Sequence, residues 1–409
     1  MNALIDCVSP ESLGLSSARL ERVADYLKEY VDSGKLPGYL VVVARHGQPV
    51  YLHRYGLRDV EEQAPVEEDT IFRIYSMTKP ITSVAFMSLY ERGLFQLDTP
   101  VSAFIPAFKH LEVFQVGDRD HYRTVPVERE MTVRDLLTHT SGLTYGFMNI
   151  HPVDAMYRAR GVEGSRSKGT LKGMLEKLGE LPLLFSPGTR WSYSVATDVL
   201  GYLVEILSGM TLDAYFAEHI FAPLGMTDTA FFVPPDKVSR FSANYDYAEG
   251  GIRLADSPTH SPYCQQPSFL SGGGGLVSTA GDYLRFTQML RNKGELNDER
   301  ILGRKTVEFM TINHLPNNND LSSMGQKVFS EMPFDGIGFG LGFSVVLDPA
   351  KGNIIGSPGE YAWGGAASTA FWIDPVEDMS VIFLTQLLPS SSYPIRRALR
   401  VLTYQALVD

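Results

Sequence analysis

A serine three positions ahead of a lysine, at the threshold of an apolar segment, is the arrangement in this chain best suited to covalent chemistry. Ser76-Met77-Thr78-Lys79 stands immediately before Pro80 and the apolar run 81–92, which Gly93 terminates. On a helix, residues three apart lie on one face, so Lys79 is held beside Ser76, and the helix N-terminus offers N–H groups to a nearby oxyanion. Pro80 in the first turn costs little, because that turn has unpaired donors anyway. Four letters also arise by chance. Ser165 to Lys168 repeats the pattern among Gly, Arg and Ser, with no strand before it and no apolar helix after it, and reads as a solvated loop. For Ser76 the non-catalytic alternative is a helix N-cap beside a surface lysine.

Tyr193, in Arg190-Trp191-Ser192-Tyr193-Ser194-Val195, lies at the entry to a helical stretch over 198–208 and can project a phenol into a cleft. Ordinary pKa values of about 10 for Tyr and about 10.4 for Lys make neither an effective base at neutral pH. A desolvated Lys79 and Tyr193 sharing one proton could supply the roughly 4 kcal/mol that a three-unit perturbation requires. The third candidate element is Trp363-Gly364-Gly365-Ala366, just ahead of an expected strand over 368–373. Paired glycines at a strand start let a ligand approach the backbone; standing alone, the tetrapeptide would be a packed Trp and a turn.

Other chemistries find less support. No G-x-S-x-G elbow occurs, and His139 follows an apolar helical turn as a structural hydrogen-bonding histidine would. The remaining His residues lack H-E-x-x-H or paired spacing, so neither a metal nor another cofactor is expected. The glycine run 272–275 is not followed by Gly-Lys-Ser/Thr and reads as a loop rather than a phosphate cradle. Cys7 and Cys264 are too few for a disulfide framework. A net charge of -11 argues against nucleic acid or an anionic membrane surface as partner. No apolar run approaches about 18 residues, and residues 1–10 (MNALIDCVSP) lack a secretory pattern, so a cytoplasmic location is expected.

The elements that must position these groups fall into two sets. Residues 17–31 have apolar residues at helical spacing and a stop at Gly34; 39–44 (YLVVVA) and 49–55 flank the turn 45–48 as a hairpin. At the other end, 343–347, 368–373 and 379–384 read as strands, 375–378 as a turn and 394–407 as a closing helix. One antiparallel sheet built from both termini and covered by their helices follows. Between them, 81–92, 133–139, 198–208 and 212–220 are helix-like segments among long Gly- and Pro-rich loops. The 409 residues exceed what one core usually organises. The expected division is an α/β body from 1–80 and 286–409, a mainly helical body over 81–285, and an active site at their junction.

Taken together, Ser76-x-x-Lys79, Tyr193 and Trp363-Gly364-Gly365, in this order, resemble the serine β-lactamase and penicillin-binding-protein superfamily. Within it, the likeness is to the class C β-lactamase-like esterases, or family VIII carboxylesterases. It extends through 71–80 (IFRIYSMTKP), 136–143 (LLTHTSGL), 185–193 (FSPGTRWSY), 221–227 (FAPLGMT) and 272–286 (GGGGLVSTAGDYLRF), nearly the whole chain. The resemblance implies an α/β (α+β) fold with helices flanking the sheet, an acyl-enzyme on Ser76, and an oxyanion hole of the Ser76 and Ala366 N–H groups. Trp363, Gly364 and Gly365 would bind substrate. The lactamases carry Lys-Thr-Gly at 363–365, and the missing cation weakens anchoring of a substrate carboxylate. Val195 replaces an amide of their Tyr-x-Asn element. Both departures turn the expectation toward small uncharged esters. An acyltransferase or amide or β-lactam hydrolase on the same fold, and a non-catalytic sensor, are the alternatives; the oligomeric state is not specified.

Overall fold

The computed structural model describes residues 5–325 and 334–409, so the first four positions of the amino-terminal stretch lie outside the described residues. Eight strands form the central sheet, in the spatial order Ile337–Phe339, Ser344–Val346, Tyr361–Gly364, Ala370–Asp374, Met379–Leu384, Gly38–Arg45, Gln48–Asp59 and Ala64–Pro65. Every pairing is antiparallel. The two ends of the chain meet where Gly38–Arg45 pairs with Met379–Leu384, with Val42 opposite Ile382. His46 and Gly47 turn the first hairpin at φ 50° and 79°, the left-handed conformation that tight hairpins require.

Strand Gly38–Arg45 is buried along its whole length, which explains its unbroken apolar run: both faces are covered. Tyr39, Val41 and Val43 share a core with Leu20, Leu27 and Leu399, from the terminal helices Ser17–Asp32 and Ile395–Tyr404. The alternate residues Leu40 and Val42 join the larger core with Phe86, Phe286, Phe371 and Ile382. Each such side chain, fully buried, stabilises the fold by about 1.5–3 kcal/mol. On that inner side, helix Ala280–Arg291 lies against the two central strands, and helix Thr78–Glu91 packs on Ala196–Ser208. Enclosure on all sides accounts for the even apolarity of Thr78–Glu91, buried at eleven of its fourteen positions.

Three expectations need correction. Helix Thr78–Glu91 begins three residues ahead of the run read from 81, because Thr78 and Lys79 are themselves buried and paired. Trp363 and Gly364 close a strand of their own, Tyr361–Gly364, and a turn then leads to Ala370–Asp374; Gly364 pairs with Ala370. The intervening region is also less uniformly helical than expected, since it carries the hairpins Glu112–Gly117 with Tyr122–Pro126 and Asn244–Ala248 with Gly251–Asp256. No single helix among the described residues is long and apolar enough to cross a membrane.

Candidate active site

The chain reaches Ser76 through Phe72–Arg73, which pairs with Val277–Ser278, and through Ile74, whose N–H donates to the Leu276 carbonyl at 3.1 Å. Tyr75 then adopts φ 42°, a left-handed conformation that costs a non-glycine residue about 1–3 kcal/mol. Its phenol accepts from Asn244 Nδ2 at 3.0 Å, anchoring the bend. Ser76 sits in a 3-10 turn, Tyr75–Met77, immediately ahead of helix Thr78–Glu91. A 3-10 turn stacks i above i+3 as an α-helix nearly does, so the consequence survives: Lys79 Nζ lies 3.4 Å from Ser76 Oγ.

Tyr193 approaches the same oxygen from across the cleft and donates to Ser76 Oγ at 2.6 Å. Its segment is stitched in place by Trp191 N–H to Met324 O (2.9 Å), Ser192 N–H to His139 O (2.9 Å) and Val195 N–H to Thr144 O (3.3 Å). His139 is buried behind it, its Nδ1 3.1 Å from Ser194 Oγ and its ring 5.2 Å from that of Tyr193. Burial, assisted by the charge of Lys79, holds His139 well below the usual imidazole range, so it stays neutral.

Lys79 is 2% exposed. Its ammonium donates to the Gly273 carbonyl at 2.6 Å and stands 4.5 Å from the Tyr193 ring centre. The glycine run is therefore a loop, as read, but one that helps build the site. Behind it lies Asp198, in the first turn of Ala196–Ser208, whose Oδ1 accepts from Ser271 Oγ at 2.6 Å and from the Gly273 N–H at 3.0 Å. Sequence reasoning missed both Asp198 and Gly273; a carboxylate at the start of an apolar helix, and four glycines without a motif, were the available signals.

The opposite wall is the end of Tyr361–Gly364 and the turn after it. A Cβ on Gly365 would lie 2.5 Å from the Ile74 carbonyl, and one on Gly364 would lie 2.8 Å from the Arg396 guanidinium carbon. Gly365 thus lets the turn close on the segment that delivers Ser76, and Gly364 lets the Arg396 guanidinium close on the strand end. Trp363 packs its ring 5.6 Å from Tyr193 and 5.3 Å from Phe339. Ser76, Tyr193, Trp363, Gly364, Gly365 and Ala366 all line one cleft of about 480 Å³, with Tyr75, Phe147 and Phe371 adding aromatic surface. Ser165, read as part of a solvated loop, is exposed but stands at the rim of this cleft, while Val195 is fully buried and off it. Among the described residues no cluster of His, Cys, Asp or Glu could hold a metal ion. A hydroxyl contacted by a phenol and an ammonium, in a mostly apolar cleft, can act as a nucleophile whose proton is passed to its neighbours.

Comparison with known proteins agrees with this chemistry. The family model described as "Beta-lactamase" matches residues 23–405. Esterase EstB of Burkholderia gladioli is 31% identical over 409 aligned residues, covering 95% of each chain. The monacolin J acid methylbutanoyltransferase of Aspergillus terreus is 29% identical, over 88% of this chain and 89% of that protein. Among solved structures, EstCE1, a hydrolase with promiscuous acyltransferase activity, superposes with a TM-score of 0.80 at 26% identity, covering 97% of this chain and 99% of that one.

Proposed function

This chain belongs to the β-lactamase family, and from that premise we propose that it is a serine carboxylesterase hydrolysing small, short-chain esters through an acyl-enzyme on Ser76. The observation that carries the proposal is the convergence of Tyr193 and Lys79 on Ser76 Oγ, at 2.6 and 3.4 Å. Ser76 Oγ attacks the ester carbonyl carbon while its proton passes to the Tyr193–Lys79 pair. The N–H groups of Ser76 and Ala366 stabilise the oxyanion, and the C–O bond breaks as the pair gives the proton to the departing oxygen, so that the alcohol leaves. Water then attacks the acyl-enzyme by the same route in reverse, releasing the acid and restoring Ser76. The cleft lies, in our reading, between the body formed by 1–80 and 286–409 and the body formed by 81–285.

An uncharged ester suits the aromatic lining of the cleft and Trp363 in its wall. The similarity to a methylbutanoyltransferase favours a second outcome for the same intermediate, in which an alcohol rather than water accepts the acyl group. Ser76→Ala should lower p-nitrophenyl ester hydrolysis by at least about a thousandfold and abolish fluorophosphonate labelling. Retained hydrolysis would refute the nucleophile assignment, and a non-catalytic protein would resist the label even as wild type. A chromogenic cephalosporin assayed beside esters of graded chain length tests the substrate class; efficient cephalosporin turnover with negligible ester hydrolysis would overturn it. Product analysis with an added alcohol separates hydrolysis from transfer.

A further inference from the structure

We infer that Asp198 is a positioning residue for the catalytic pair: through the Gly273 peptide it sets the place of the Lys79 ammonium, and its buried carboxylate is the counter-charge to that ammonium. The inference rests on the acyl-enzyme reading above and extends it to a residue that touches no substrate.

Asp198 is wholly buried. Taking a carboxylate out of water costs several kcal/mol, which polar partners or an opposite charge must offset. Oδ1 has two donors, the Ser271 hydroxyl and the Gly273 N–H. Oδ2 is buried without a hydrogen-bond partner among the described residues. Half of the carboxylate therefore depends on charge rather than on hydrogen bonds. Its location in the first turn of Ala196–Ser208 places it at the positive end of that helix. Lys79 supplies the full charge, and the bridge between the two is a single residue. Gly273 donates its N–H to Asp198 and accepts Lys79 Nζ at its carbonyl. Only glycine permits this approach, since a Cβ there would lie 2.7 Å from Asp198 Oδ2 and 3.0 Å from the Tyr145 hydroxyl.

The titratable groups around this pair come from four directions: Lys79 from Thr78–Glu91, His139 from the turn after Val133–Leu137, Tyr145 from the loop before Gly146–Met148, and Tyr193 from the segment leading into Ala196–Ser208. His139 is neutral, and burial together with the charges of Asp198 and Tyr193 holds the Tyr145 phenol well above its usual range. Burial raises Asp198 itself, while hydrogen bonds and Lys79 oppose the rise.

Asp198→Asn tests the counter-charge, because the amide keeps the shape and an acceptor for Ser271 and Gly273 while losing the charge. Removing a negative charge disfavours the positively charged form of the groups beside it. The expected result is that both limbs of the pH profile of kcat/KM for a p-nitrophenyl ester move to lower pH by about one unit. A profile superimposable on wild type, or uniformly reduced with unmoved limbs, would overturn the proposal. Gly273→Ala tests the positional part, since it keeps the carboxylate but displaces the carbonyl; fluorophosphonate labelling of Ser76 should slow by at least about tenfold. Labelling at the wild-type rate would overturn that part, and where this variant does not fold the Asn profile decides. If Ser76→Ala itself remains active, the acyl-enzyme reading has failed; if it is inactive while the Asp198→Asn profile does not move, only the role of Asp198 has failed.

Discussion

Tyr193 is held by its neighbours more than by its hydroxyl, which makes its chemical contribution separable. Replacing it with Phe leaves the ring contacts with Trp363 and His139 at 5.6 and 5.2 Å but removes the 2.6 Å bond to Ser76 Oγ. Loss of a positioned acid–base group lowers the chemical step by about 10²–10⁴-fold. Tyr193→Phe should therefore reduce kcat by that range with KM little altered, as steady-state kinetics on a p-nitrophenyl ester will show; an unchanged kcat would pass the base role to Lys79. Ser76, Lys79 and Tyr193 were legible in the sequence because each is a reactive residue type at the entry to an apolar helix, a local property. Asp198 and Gly273 were not, because their contact spans 75 positions and exists only once the glycine loop folds onto the helix end. Ser165 escaped for the same reason: its exposure was readable, its place at the cleft rim was not.

At the scale of the element, the turn after Tyr361–Gly364 is the part of the site whose position depends most on close packing. Arg396, from the closing helix Ile395–Tyr404, donates to the Gly365 and Thr369 carbonyls at 2.7 and 2.8 Å and clamps both sides of the turn. The other surface of Gly365 faces Ile74, two residues before Ser76, where an added Cβ would fall 2.5 Å from the carbonyl oxygen. Gly365→Ala must move the turn away from Ser76, and a misplacement of roughly 1 Å costs about 10²-fold in rate. The variant should lose about that factor in kcat/KM, with fluorophosphonate labelling slowed in parallel; wild-type rates would show that the turn does not set the oxyanion geometry. The long strands were visible as apolar runs bounded by turns. Tyr361–Gly364 was not, because four residues ending in glycine carry too little pattern and the paired glycines read as a turn. The hairpin Glu112–Gly117 with Tyr122–Pro126 was hidden by its own exposure, since strands that bury little need no alternating apolar face.

At the scale of the whole molecule, the sheet that backs the site exists only because two ends of the chain pair across more than 300 positions. Apolar strands at both termini made that arrangement readable, yet the device that locks it was not visible. Arg45 ends the first strand, is 5% exposed, and gathers groups from both ends. Its guanidinium donates to the Leu13 carbonyl at 2.8 Å, to Asp409 Oδ1 at 2.9 Å and to the Glu377 carbonyl at 3.1 Å. Nearby, Leu15 bridges Leu407, and the Val408 N–H donates to the Gly14 carbonyl at 3.0 Å. Arg45→Met keeps an apolar stem of similar reach but strips the donors from these carbonyls and from the Asp409 carboxylate. Each unsatisfied group costs about 1–3 kcal/mol, with water at the half-exposed Asp409 recovering part, so a net loss of about 2–4 kcal/mol is expected. Arg45 does not line the cleft, so the loss belongs to stability rather than catalysis. The urea unfolding midpoint should fall while kcat/KM in native conditions stays within about twofold of wild type. A variant that unfolds as wild type does would show that strand pairing alone, without this clamp, holds the two ends together.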